Sequence, residues 1–135
     1  MFDTAKSVPP KKILIVDDDV LNAATMTQIL LQNGYEVFHA EDKHHAVKVA
    51  QKFRPDMIIC NAESKKADAL QTMKLLRQWP QTRGAAVLVL TERREMLTGE
   101  PGLLGPRQFL VKPFTREQLA IAVQENLRHR QTRQK

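Results

Sequence analysis

A run of four apolar, β-favouring residues near the start of the chain leads directly into three acids, in the sequence KKILIVDDD over residues 11–19. Residues 13–16 do not alternate with polar residues, which is typical of a strand buried on both faces of a parallel sheet. In open sheets of this kind, ligands bind beyond the carboxyl ends of the strands. Asp17 and Asp18 are therefore predicted to lie at a binding site, and Asp19 is predicted to begin the next helix.

The length of 135 residues predicts one domain with a single core. The lone cysteine, Cys60, lies in the apolar run MIIC and has no second cysteine to pair with, which favours a reducing environment. No stretch approaches the roughly 20 apolar residues of a membrane span, and the first residues lack the apolar segment of a signal peptide. These features predict a soluble, cytoplasmic protein that does not contact membranes.

The net charge of +6 is concentrated at the two ends of the chain. Three lysines lie within residues 6–12 and four basic residues lie within 128–135, whereas residues 13–127 carry equal numbers of acidic and basic side chains. A basic surface is the usual electrostatic mark of a nucleic-acid partner. Because the folded body is neutral by this count, we interpret the basic ends as solvated tails. The alternative is a weak contact of these tails with an anion.

Strand-like and helix-like segments alternate along the chain, which predicts a parallel sheet with right-handed crossovers and helices on both faces. We therefore predict a flavodoxin-like α/β fold, a three-layer sandwich around a five-stranded sheet of order 2-1-3-4-5. Residues 1–10 are predicted to be a disordered lead. The predicted strands cover residues 13–16, 35–39, 56–60, 85–90 and 109–111, and the predicted helices cover residues 20–32, 43–53, 69–76 and 116–127.

The connection between the fourth and fifth strands is predicted to be irregular. Three glycines and two prolines crowd residues 99–106. Glycine costs ~1 kcal/mol and proline ~3 kcal/mol in the interior of a helix. We therefore predict a short helical turn over residues 92–97 in place of a full fourth helix, followed by irregular chain up to residue 108.

Polar side chains follow four of the predicted strands. Because strands 1, 3, 4 and 5 are neighbours in the predicted order, these side chains should converge on one edge of the sheet. Two carboxylates offer hard oxygen ligands to Mg²⁺, and a lysine with a hydroxyl can hold a phosphoryl group. The converging residues are Asp17, Asp18, Asn61, Thr91 and Lys112.

The segments VDDD, PDMIICN, LVLT and FLVKPF resemble, in order and spacing, the motifs of the receiver domain of two-component response regulators. The resemblance covers residues 11–130 and leaves 131–135 as a basic C-terminal tail. It implies a domain that a histidine kinase phosphorylates on an aspartate at the end of the third strand, with Mg²⁺ bound by an acidic pair. By this resemblance, Asp17 and Asp18 match the acidic pair and metal ligands, Thr91 the switch hydroxyl, Phe109 the switch aromatic and Lys112 the family's lysine.

Asn61 stands at the position of the phosphorylated aspartate, and here the chain departs from the family pattern. A neutral amide oxygen is a poor nucleophile, so Asn61 cannot form the acyl phosphate. The pocket also loses a negative charge, so we expect no cofactor or only weakly bound Mg²⁺ at Asp17 and Asp18, with Lys112 pairing directly with these acids. We also expect Asn61 to be a hydrogen-bonded plug between Lys112 and a backbone amide, and Thr91 either to act as a switch or to cap the next turn.

Asp18 is not expected to substitute for the missing aspartate, because it would have to give up its metal role, and three other carboxylates are the remaining candidates. Asp56 begins the third strand and lies roughly 16 Å from Asn61 at ~3.3 Å per residue, too far to reach the site. Glu63 and Asp68 lie in or just after the loop that follows Asn61. We expect none of the three to take over the role.

These observations predict a pseudo-receiver without enzymatic activity that acts by phosphorylation-independent binding of a protein partner, either a histidine kinase or a downstream effector. The predicted interface is the segment 92–108 with the fifth strand and the last helix, and homodimerisation through that face is left open. The first alternative is a receiver that is still phosphorylated, with Mg²⁺, at a substitute carboxylate. The second alternative is a regulator that binds nucleic acid through its basic tails, which the neutral body disfavours.

Overall fold

The computed structural model describes residues 8–93 and 105–133, and it contains five strands and four α-helices in these ranges. Residues 8–10 have no regular structure, whereas residues 1–7 of the predicted lead lie outside the described ranges. The predicted turn over 92–97 also lies outside them from residue 94 onward. The elements in chain order are β1 (Lys12–Val16), α1 (Val20–Gln32), β2 (Glu36–Ala40), α2 (Lys43–Phe53), β3 (Met57–Asn61), α3 (Ala69–Arg77), β4 (Ala86–Thr91), β5 (Phe109–Val111) and α4 (Arg116–Arg133).

The five strands form one parallel sheet of order β2-β1-β3-β4-β5, which confirms the predicted topology. Alternate residues of each central strand face opposite sides of the sheet. Ile13 and Ile15 belong to a core with α1 and α4, while Leu14 and Val16 belong to a second core with α2 and α3. The unbroken apolar run of β1 therefore reflects burial on both faces.

Aspartates begin the first three helices, as their side chains accept hydrogen bonds from backbone N–H groups of the first turn. Asp19 accepts from two such groups at 3.0 and 3.1 Å, and Asp42 and Asp68 each accept from one. The last helix begins with the predicted capping box, in which Thr115 and Gln118 exchange bonds of 2.8 and 3.0 Å. These local caps fix where each helix starts relative to the strand before it.

The end of the last helix differs from the prediction, and contacts of Arg130 explain the difference. The last helix continues to Arg133, three residues into the segment that was predicted to be a tail. Arg130, just before this segment, is held by the carbonyl of Gly84 at 2.7 Å and by Asp56 at 2.8 Å. Within the described part of the connection before β5, a short 3-10 turn covers Pro106–Gln108.

Thr72 carries a buried hydroxyl whose effect on stability can be tested. Its side chain is fully buried on α3, and within the described ranges its hydroxyl has no hydrogen-bond partner. Burial of an unpaired hydroxyl is costly, so Thr72→Val should raise the free energy of unfolding by about 1 kcal/mol in a urea titration.

Thr82 is the matched control for this prediction, because it is equally buried but its hydroxyl donates to the carbonyl of Leu76. Thr82→Val should therefore lower the free energy of unfolding by about 1 kcal/mol. Equal effects of the two substitutions would contradict the assignment of Thr72 as an unsatisfied group.

Candidate functional site

The carboxyl edge of the sheet brings together the side chains that the sequence placed there. Asn61 is the last residue of β3 and pairs with Leu90, one residue before Thr91 at the end of β4. Lys112 follows β5, and its backbone N–H donates to the carbonyl of Thr91 at 2.8 Å. Asp17 follows β1 directly. The parallel register therefore aligns these residues around one pocket.

Asn61 lies at the centre of this pocket and is 6% exposed. Its Oδ1 accepts a hydrogen bond from Lys112 Nζ at 2.7 Å and another from the backbone N–H of Glu63 at 3.1 Å. Its Nδ2 donates to the two carboxylate oxygens of Asp17, each at 3.2 Å. Asn61 therefore fills the space between Lys112 and a backbone amide, as predicted. It also connects Lys112 to Asp17 through its two side-chain ends.

The acidic pair has one buried and one half-buried member. Asp17 is 1% exposed, and its Oδ1 also accepts from the backbone N–H of Asp19 at 2.9 Å. Asp18 is the half-buried member. The predicted direct pairing of Lys112 with these acids is wrong, because the ammonium bonds to Asn61 and to Glu63 at 3.0 Å. The amide of Asn61 separates the lysine from Asp17.

Glu63 belongs to the pocket, although sequence reasoning considered it only as a remote substitute. Its Oε2 accepts from the hydroxyl of Thr91 at 3.0 Å, and its Oε1 accepts from Lys112 and from the backbone N–H of Glu92 at 3.2 Å. The one signal in the sequence was an acid two residues beyond a strand end. That signal is weak because the direction of the side chain depends on the loop that carries it.

The surroundings of Glu63, in the pocket, and of Cys60, in the second core, shift the pKa values of these two groups. Partial burial raises the pKa of Glu63, but the hydrogen bonds from Lys112, Glu92 and Thr91 lower it more, so the net direction is down. Burial, with a smaller contribution from the charge of Asp17, raises the pKa of Cys60 to about 12. Glu63 is therefore held in its anionic form, whereas the Cys60 thiol is neutral and is a packing residue of the second core.

The two residues matched to the family's switch differ in burial. Thr91 is fully buried, and its Oγ1 accepts from the backbone N–H of Arg93 at 3.0 Å while it donates to Glu63. It therefore caps the turn after β4, as one of the two predicted roles requires. Phe109 is half-buried and packs against the second core. The structure thus holds Thr91 turned toward the pocket.

The donor set does not fit a dedicated Mg²⁺ site. The amide nitrogen of Asn61 donates to both carboxylate oxygens of Asp17, so a cation would have to displace this amide in order to bind them. In residues 8–93 and 105–133, no group of three or more His, Cys, Asp or Glu side chains is placed to hold a metal ion.

Asp56 lies at the opposite end of β3, as predicted. Its carboxylate accepts from the backbone N–H of Lys12 at 2.8 Å and pairs with Arg130 at 2.8 Å. Asp68 is engaged as the cap of α3. Two of the three substitute carboxylates that the sequence offered therefore have structural roles away from the pocket.

Arginines also gather at the amino end of β4 and β5, which the charge count along the sequence did not reveal. A groove of about 790 Å³ has a wall that includes Arg77, Arg83, Arg107, Arg130 and His129. The folded body is neutral in total, but this end of it is basic. The positive charge is therefore not confined to the tails.

Comparisons with known proteins agree with the fold. Residues 13–124 match the response regulator receiver domain family. The chain is 34% identical over 119 residues to the alkaline phosphatase synthesis transcriptional regulatory protein PhoP of Bacillus subtilis, covering 87% of this chain and 49% of that protein. It is 29% identical over 115 residues to the probable chemotaxis protein CheY of Rhizobium etli, covering 84% of this chain and 89% of that protein.

Solved structures of other proteins have a similar fold. The chemotaxis response regulator CheY4 of Vibrio cholerae superposes with a TM-score of 0.77 at 30% identity, covering 86% of this chain and 98% of that one. A sensor protein from Polaromonas superposes with a TM-score of 0.81 at 19% identity, which shows likeness of fold alone.

The chain belongs to the response regulator receiver domain family, and its function lies in two-component signal transduction. It spans about half the length of curated relatives such as PhoP of Bacillus subtilis. In the described ranges, no helix is both long and apolar enough to cross a membrane.

Proposed function

We propose that this receiver is a non-catalytic module that signals by binding a protein partner without being phosphorylated in its pocket. The observation that carries the proposal is the amide of Asn61 at the end of β3. Its oxygen accepts from Lys112 and from a backbone N–H, and its nitrogen donates to Asp17. A neutral amide oxygen is a poor nucleophile, and this one already accepts two hydrogen bonds, so it is not expected to attack a phosphoryl donor.

The proposed partner is a histidine kinase or a downstream effector, and the proposed interface is the segment 92–108 with β5 and α4. The described part of this face carries an exposed apolar side chain, Ile121 on α4, which is 55% exposed. Arg107 on the same face is also exposed. Arginine is enriched at protein interfaces, and the interface core is apolar, so these two exposed side chains favour a protein partner here.

Treatment of the purified chain with acetyl phosphate and Mg²⁺, followed by intact mass spectrometry, tests the proposal. The expected result is no gain of a phosphoryl group, because no carboxylate stands at the end of β3. A stable phosphoryl adduct would overturn the proposal. Peptide mapping of such an adduct would then show whether Glu63 or Asp18 had served as the substitute acceptor.

A further inference from the structure

Three hydrogen-bond donors from the ends of two strands converge on the carboxylate of Glu63. They are the ammonium of Lys112 at 3.0 Å, the hydroxyl of Thr91 at 3.0 Å and the backbone N–H of Glu92 at 3.2 Å. Both oxygens of the carboxylate are engaged. The donors belong to the ends of β4 and β5, whereas Glu63 belongs to the loop after β3.

This donor set is suited to an anion rather than to a neutral ligand. A lysine, a hydroxyl and a backbone N–H together neutralise and orient the oxygens of a bound carboxylate or phosphoryl group. The hydroxyl comes from a fully buried residue, so its direction is set by packing and not by solvent. We refer to Lys112 Nζ, Thr91 Oγ1 and the Glu92 N–H as the anion-binding donors.

A solvated ion pair would account for only part of this arrangement. The side chains of Lys112 and Glu63 are 22% and 31% exposed, and a lysine–glutamate pair at such a surface contributes little on its own. It would also leave the buried hydroxyl and the backbone N–H without any reason to face the carboxylate. The lowered pKa of Glu63 agrees with donors that favour its anionic form.

The charges of the pocket also indicate that Glu63 is the anionic partner of these donors. Replacement of the family's aspartate by Asn61 removes one negative charge beside Lys112, and Glu63 supplies one in return. Asn61 and Glu63 bind the same ammonium, at 2.7 and 3.0 Å. The lysine thus keeps an anionic partner although the aspartate is gone.

We propose that the carboxylate of Glu63 is an internal anion that occupies the anion-binding donors in place of a phosphoryl group and holds Thr91 turned into the pocket. The pocket of this receiver is then permanently in its anion-occupied arrangement. The inference rests on the proposed function, because an internal anion controls the pocket only where no phosphoryl group competes for the same donors. The two failures are distinguishable, since a phosphoryl adduct on the native chain is detected by mass spectrometry, whereas occupancy of the donors by Glu63 is detected at the Glu92 amide.

Glu63→Ala, followed by nuclear magnetic resonance of the Glu92 amide, tests this inference. Loss of the acceptor should speed hydrogen exchange at this amide roughly tenfold and shift its proton upfield, because the hydrogen bond to the carboxylate is lost. Addition of inorganic phosphate should then reverse both changes in the variant and leave the native chain unaltered. Glu63→Gln keeps an acceptor oxygen but not the charge. The exchange rate and proton shift of its Glu92 amide should therefore lie between those of the native chain and those of Glu63→Ala.

Glu36→Ala is the matched control, because it removes the same charge from an exposed position on β2 and should leave the Glu92 amide as it is. An unchanged Glu92 amide in Glu63→Ala would overturn the inference. So would an exchange rate that rises but does not respond to phosphate, which would mean that Glu63 makes only a local hydrogen bond. Equal responses of native chain and variant to phosphate would show that Glu63 does not block the donors.

Discussion

Asn61→Asp should turn this chain into an acceptor of phosphoryl groups from acetyl phosphate in the presence of Mg²⁺. The substitution replaces the amide nitrogen that covers Asp17 with an oxygen, so a carboxylate nucleophile and a third acidic oxygen ligand appear together. Lys112 already lies 2.7 Å from the side chain at this position, and it can neutralise the transferred charge once the covalently held phosphoryl group displaces Glu63 from it. Intact mass spectrometry should show up to one phosphoryl group per chain, against none for the native protein.

Asn22→Asp is a matched control for this experiment, because it makes the same chemical change on the exposed face of α1, outside the pocket. It should acquire no phosphoryl group. Omission of Mg²⁺ should abolish the adduct of Asn61→Asp. If Asn61→Asp stays unmodified while it folds normally, the residues around this position do not support phosphoryl transfer.

The fold could be predicted from the sequence because its determinants are local and periodic. The run ILIV of β1 has no polar residue to place on a solvent face, so a sheet with helices on both sides is required, and the two cores confirm it. Aspartates such as Asp19 and Asp42 mark helix starts by bonding within their own first turn. The strand order then followed from the alternation of elements.

The strand-end residues of the pocket could be predicted for a related reason. Parallel strands end at the same edge of a sheet, so the residues after them must converge whatever the loops do. Asn61, Thr91 and Lys112 were placed in this way. Glu63 was not, because a loop decides whether its side chain turns toward Thr91 or toward solvent, and no periodic pattern records that choice. The same limit explains the basic groove, since Arg77 and Arg107 lie 30 residues apart in the chain.

Asp56→Ala should lower the free energy of unfolding by about 2 kcal/mol in a urea titration at neutral pH. The carboxylate holds the start of β1 through the backbone N–H of Lys12 at 2.8 Å, and it holds the last helix through Arg130 at 2.8 Å. Both bonds join parts of the chain that are more than 40 residues apart. Removal of Asp56 therefore weakens the attachment of the start of β1 and of the end of α4 together. Arg130→Met should leave the bond to Lys12 intact and remove only the bonds of Arg130 to Asp56 and to the carbonyl of Gly84.

The effect of Asp56→Ala should depend on pH with a definite sign. Burial raises the pKa of Asp56, but the Lys12 N–H and the Arg130 guanidinium lower it more, so its folded value lies below the ordinary 3.8. A group with a depressed folded pKa stabilises the protein fully above its unfolded pKa and loses that contribution as the pH falls through the folded pKa. The difference in stability between the native chain and Asp56→Ala should therefore be constant above about pH 5 and shrink below pH 3.8.

A control variant, Glu36→Ala, should differ little from the native chain at neutral pH, because its carboxylate is exposed. A difference for Asp56→Ala that grew on acidification would show that its carboxylate is not held by these two donors.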